Sequence, residues 1–106
     1  MNKEFGRLYC DLNEDTLKIS DIVVHDGKSY YVDTCYVLDG DCLETMVFEM
    51  IENVPEDYEL EDDFESKVDW MGIYQGRHRD VSEAKRIHLQ LINNLKEHGS
   101  VKGAMN

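Results

Sequence analysis

Ten carboxylates lie between Glu49 and Asp69, and Lys67 is the one cation among them. Carboxylates at this density repel phosphates and attract lysine and arginine, so the stretch suits a basic protein partner and not nucleic acid or an anionic membrane. In a helix they would fall about 3 Å apart along the axis, near the spacing of about 3.4 Å between phosphates of one DNA strand. Glu56, Asp57, Glu59, Glu61, Asp62, Asp63 and Glu65 would then stand in for phosphates, with Tyr58 and Phe64 as apolar anchors of the contact. The plainer alternative is a solvated acidic surface whose Tyr58, Leu60 and Phe64 pack on the rest of the fold.

Nucleophilic or metal chemistry would have to come from Cys10, Cys35 and Cys42 together with His25, His78, His88 and His98. No CxxC and no zinc-type histidine spacing links them, so they would have to converge from separate strands and a helix, and structural roles are the simpler expectation. His88 is expected to be half-buried with one hydrogen-bonded nitrogen, and Cys35 and Cys42 to behave as small hydrophobes of a sheet. Arg77-His78-Arg79-Asp80 contains the HRD of kinase catalytic loops, but neither the following asparagine nor a glycine-rich loop accompanies it. Asp39-Gly40-Asp41 lacks the spacing of a calcium loop, and Gly72 and Gly76 carry no dimerisation signal outside an apolar span. No catalytic residue, metal or cofactor is expected.

The elements that must position these residues are legible in outline. LKISDIVVH, ending at Asp26-Gly27, SYYVDTCYVL and CLETMVFEM read as three strands joined by tight turns, and FGRLYCDL adds another ahead of them. A two-residue turn at Asp39-Gly40 sets Val37 opposite Cys42 and puts Cys35, Val37, Cys42, Glu44, Met46 and Phe48 on one face; a three-residue loop puts Leu43, Thr45 and Val47 there instead. The first register is preferred.

Asn53, Pro55 and Glu56 resemble a capped helix start, followed by an apolar stripe at Leu60, Phe64 and Val68. Like charges four apart, such as Asp57 with Glu61 and Glu61 with Glu65, oppose that helix by about 0.2 to 0.5 kcal/mol per pair, so it needs its stripe docked to persist. Val68 to Gln75 reads as a short fourth strand. Asp80 as N-cap, Glu83 three residues on and Gly99 at the end bound a helix over Val81 to His98 with Ala84, Ile87, His88, Leu91 and Leu95 inward. A frayed tail is expected from Ser100 to Asn106.

The expected architecture is thus α+β, one domain over residues 1–106: an antiparallel β meander of three to five strands with the C-terminal helix packed on one face. Its acidic segment, residues 49–69, joins the third and fourth strands. The 106 residues carry a net charge of −12, divided between 20 acids and 5 bases up to Asp69 and 3 acids and 6 bases after it. Unpaired cysteines, no opening apolar run and no span of about 18 to 20 apolar residues lead to the expectation of a cytoplasmic protein with reduced thiols.

The order Asp33-Thr34, Glu44-Thr45-Met46-Val47-Phe48, Asp69-Trp70 with Tyr74, then Ser82-Glu83-Ala84 and His88 resembles small uncharacterised acidic proteins of phages and mobile elements of Gram-positive bacteria. The resemblance implies no enzymatic activity. It implies a setting in which compact acidic proteins inhibit host nucleic-acid-binding machinery, including CRISPR nucleases and restriction enzymes. The expected function is therefore a non-catalytic acidic interaction protein, an anti-defence inhibitor that imitates nucleic acid before a basic nucleic-acid-binding protein of the host. The competing readings are a small enzyme or metal protein using Cys35 or Cys42 with a histidine, and a housekeeping component of a mobile element.

Overall fold

The computed structural model describes residues 8–10, 18–37, 42–60 and 63–101. Five strands, β1 (Leu8–Cys10), β2 (Lys18–His25), β3 (Lys28–Val37), β4 (Cys42–Glu49) and β5 (Tyr74–His78), form one antiparallel sheet in chain order, followed by helix α1 (Val81–His98). This is the α+β meander expected. Asp26 and Gly27, at φ 52 and φ 80, turn β2 into β3. Both central residues having positive φ matches the twist of the paired strands. Val37 faces Cys42 across the next hairpin, the register of the two-residue turn, although residues 38–41 lie outside the described set.

That register sorts the side chains by alternation. Val23, Tyr30, Val32 and Val47 face Ile87, Leu91, Ile92 and Leu95 of α1, and Ile19 and Leu43 face Ala84. Fully burying a Leu or Ile is worth about 1.5 to 3 kcal/mol, so this stripe is the main attachment of the helix. The helix ends are those expected. The Glu83 N–H donates to Asp80 Oδ1 at 2.9 Å, while the Glu83 carboxylate reaches back one residue beyond the cap to the Arg79 N–H at 2.9 Å. Gly99, at φ 63, closes the other end with its N–H on the Leu95 carbonyl. Past it, Val101 packs against the core, so the tail is anchored at least that far.

The acidic segment is not the helix its stripe suggested. Pro55 to Leu60 runs without regular structure through a turn at Glu56 and Asp57, and Phe64–Lys67 forms a single 3₁₀ turn. Asn53 does not cap a helix; its Oδ1 accepts the Ser29 N–H at 3.0 Å, while the Ser29 hydroxyl donates to the Val54 carbonyl and accepts the Val54 N–H at 2.7 Å. With that cap diverted and like charges stacked against the helix, apolar docking decides the path. Val54, Tyr58, Leu60, Phe64 and Val68 pack on Ile22, Tyr31, Phe48 and Met50, on the sheet face opposite α1.

The fourth strand was also misplaced. Val68 makes only an isolated bridge to Met50, and the strand proper is β5, which begins at Tyr74 and runs through Arg77 and His78. Between them the chain turns: Asp69 Oδ1 accepts the Met71 N–H at 3.1 Å, and Gly72 sits at φ 75, a conformation other residues resist. No helix among the described residues is long and apolar enough to cross a membrane.

Candidate functional site

The residues expected to meet a partner are split by the cover they form. Glu56, Asp57, Glu59, Asp63 and Glu65 are exposed, whereas Glu61 and Asp62 lie outside the described residues. Tyr58 and Phe64 are not outward anchors; both pack on the sheet, with the Phe64 ring edge-on to Tyr31 at 5.3 Å. Phosphate-like helical spacing is absent with the helix. What the segment presents is a carboxylate surface held down by its apolar side.

Part of that charge is compensated. Lys67 pairs with Glu52 at 3.1 Å and Asp63 at 3.9 Å, and Lys96 of α1 lies 3.9 Å from Glu56. Asp57, Glu59 and Glu65 have no ion pair among the described residues. Among the described residues, Arg77 and Arg79 pair outside the segment, with Glu44 at 3.5 Å and Glu83 at 3.0 Å. Glu83 is accordingly held below the usual carboxylate range, first by the Arg79 backbone N–H and then by its guanidinium. Moderate salt at neutral pH is therefore expected to raise the melting temperature by screening the remaining repulsion. An unchanged melting temperature between about 0.01 and 0.15 M salt would mean that the charges are neutralised elsewhere.

Sequence patterning missed the end of the cover. Trp70, Met71 and Ile73 are 50%, 88% and 42% exposed, although alternation had placed them in a strand. They are not loose. The Trp70 indole N–H donates to the Glu65 carbonyl at 2.9 Å, and its ring meets Phe48 edge-on at 4.8 Å. Met71, Gly72 and Ile73 also line a small cleft with Met46, Tyr74 and Gln75. Trp70, Met71 and Ile73 thus add exposed apolar surface to a cover whose Asp57, Glu59 and Glu65 have no ion pair among the described residues.

On the other face, under α1, five polar side chains form an unbroken chain. Asp21 Oδ2 lies 2.8 Å from His88 Nε2, and His88 Nδ1 lies 2.7 Å from Thr34 Oγ1. Thr34 Oγ1 is 2.5 Å from Thr45 Oγ1, which is 2.7 Å from His78 Nε2. His88 is wholly buried with both ring nitrogens engaged, not half-buried with one. His78, 7% exposed, is the end that reaches a cleft lined by Tyr74, Gly76, Arg77, Glu83, Arg86 and Ile87. Tyr74 folds its hydroxyl over Gly76, in the space a Cβ would occupy, so a side chain at 76 would displace the ring. Burial pushes His78 below the ordinary histidine value; Glu83 opposes this, and Arg86 and His88 add to it.

The cysteine chemistry has little geometric support. Cys35 and Cys42 are free and half-buried, and the Cys35 thiol is pushed up, first by burial and then by the Asp33 carboxylate 3.8 Å away. A nucleophilic thiolate needs the opposite environment. Among the described residues, no group of three or more His, Cys, Asp and Glu side chains could hold a metal ion. No family model, curated protein or solved structure matches the chain.

Proposed function

We propose that the protein is a non-catalytic binding module that seats its acidic cover in the basic groove of a nucleic-acid-binding protein and inhibits it by occupying that groove. The observation that carries this reading is that one cover presents Asp57, Glu59 and Glu65, exposed and without an ion pair among the described residues, together with the half-exposed Trp70, held on the Glu65 carbonyl, and the exposed Met71. Carboxylates supply attraction to lysine and arginine, and Trp70 and Met71 supply apolar area that charge alone lacks. The attraction does not require helical phosphate spacing; it requires only that the charges face outward. The raised Cys35 thiol speaks against Cys35 as the nucleophile of the enzyme alternative.

The test begins with capture of the partner from a host lysate, followed by competition with duplex DNA. DNA should displace the protein, and both ligands should weaken as salt rises. Replacing Asp57, Glu59 and Glu65 together with lysine changes the net charge from −12 to −6 and touches no buried side chain. The triple variant should fold normally and lose at least about tenfold in affinity, equivalent to about 1.4 kcal/mol. Full binding by this variant, or a partner without a basic groove, would reduce the cover to a solubilising surface.

A further inference from the structure

We propose that Asp21, His88, Thr34, Thr45 and His78 form a proton relay, in which a proton taken up at the outer nitrogen of His78 comes to rest as a positive charge on buried His88. The four links of 2.5 to 2.8 Å leave no gap between the cleft and the interior. Their donors and acceptors can be assigned without conflict. With Asp21 ionised and both rings neutral, His78 Nε2–H donates to Thr45, Thr45 to Thr34, and Thr34 to His88 Nδ1. His88 Nε2–H then donates to Asp21.

A proton bound at His78 Nδ1 reverses the chain. The Nε2 proton of His78 passes to Thr45, the Thr45 proton to Thr34 and the Thr34 proton to His88 Nδ1. One proton has entered, each hydroxyl still carries one, and the three hydrogen bonds between His78 and His88 survive with their direction inverted, while His88 Nε2–H goes on donating to Asp21. His78 is neutral again as the other tautomer, while His88 is an imidazolium against the Asp21 carboxylate.

Both rings are buried, and what distinguishes the inner end is direct contact with a carboxylate. His78 faces Arg86 and Glu83 from α1, Glu44 from β4, and His88 itself, with Arg77 beside it on β5; burial and Arg86 work against a charge there, and Glu83 and Glu44, neither of them hydrogen-bonded to the ring among the described residues, offset this only in part. His88 faces the Asp21 carboxylate from β2 at 2.8 Å. A side chain with no contact with solvent thereby stays in exchange with it through a second histidine. This site lies on the face opposite the acidic cover, and nothing about it depends on the partner proposed above.

Ring ¹⁵N and ¹³C spectra of the full-length, isotopically labelled protein, recorded over roughly pH 5 to 8, test the relay. The expected first step shows His88 protonated at both nitrogens while His78 changes from the Nε2–H to the Nδ1–H tautomer and stays neutral. His25 and His98, outside the relay, serve as references in the same sample. Thr45→Val removes the central hydroxyl; His78 should then take its own proton as an imidazolium, and its titration should no longer shift the His88 ring. If Thr45→Val does not fold, the tautomer change in the unaltered protein decides alone. A first proton that makes His78 an imidazolium beside a neutral His88, a His78 tautomer that never changes, or two rings that do not respond before the protein unfolds would each overturn the relay.

Discussion

Replacing His88 with leucine is expected to remove about 3 kcal/mol of stability, near the lower end for breaking a buried charged or hydrogen-bonded pair from one side. Leucine fills most of the space, so the loss is not chiefly a cavity. Asp21, with 14% of its side chain exposed, loses its partner, and the Thr34 hydroxyl loses one of two in a site with no solvent. The partial exposure of Asp21 keeps the cost below that of a fully buried carboxylate. Thr34→Val should cost less, about 1 to 3 kcal/mol, because neutral groups are left unsatisfied. Urea midpoints for the two variants check this order. A single domain has roughly 5 to 15 kcal/mol in total, so His88→Leu should be visible as a large fall in the midpoint. A near-neutral His88→Leu would mean that the chain of polar groups is solvated or mispaired in solution.

Phe48→Ala is the second large effect, expected at about 3 to 5 kcal/mol for a buried phenylalanine. Phe48 is 4% exposed, stacks on Tyr31 with ring centroids 6.0 Å apart and meets the Trp70 ring at 4.8 Å. It therefore joins the sheet to the end of the acidic cover. Truncation should loosen the cover first: amide exchange in residues 51–70 should accelerate more than in α1, whose packing is on the other face. The emission of Trp70, the only tryptophan, should move to longer wavelength as its ring is released. Equal acceleration in α1 and in the cover would show that the two faces open together and that Phe48 is not a local fastening.

Where the sequence and the structure agree, the reason is local. Strand alternation, the Asp26-Gly27 turn and the Asp80 and Gly99 caps each act over a few residues, and each element formed where those signals lay. The acidic segment failed because its helix signals were contested: the Asn53 side chain went to the Ser29 N–H, a long-range partner that spacing cannot reveal. Trp70 and Ile73 were misread because alternation cannot see that Gly72 turns the chain.

The relay was half legible. Asp21 alternates with Ile19 and Val23, Thr34 with Val32 and Tyr36, Thr45 with Leu43 and Val47, and His88 interrupts the apolar stripe of α1. Four polar residues on inward positions require partners, and register alone would have set Thr34 against Thr45. The short motifs Asp33-Thr34, Glu44 to Phe48 and His88, remote in sequence, meet at this network.

The cover also separates two kinds of mutational freedom. Val54, Tyr58, Leu60, Phe64 and Val68 hold it to the sheet, while Asp57, Glu59 and Glu65 point away and bear no part of that attachment. Exposed substitutions of this kind usually change stability by no more than about 0.5 kcal/mol. Sequence drift can therefore rewrite the charge pattern of this face, position by position, while selection on folding acts on the residues beneath it. A lineage that must follow a changing partner could retune this surface without paying for it in folded protein.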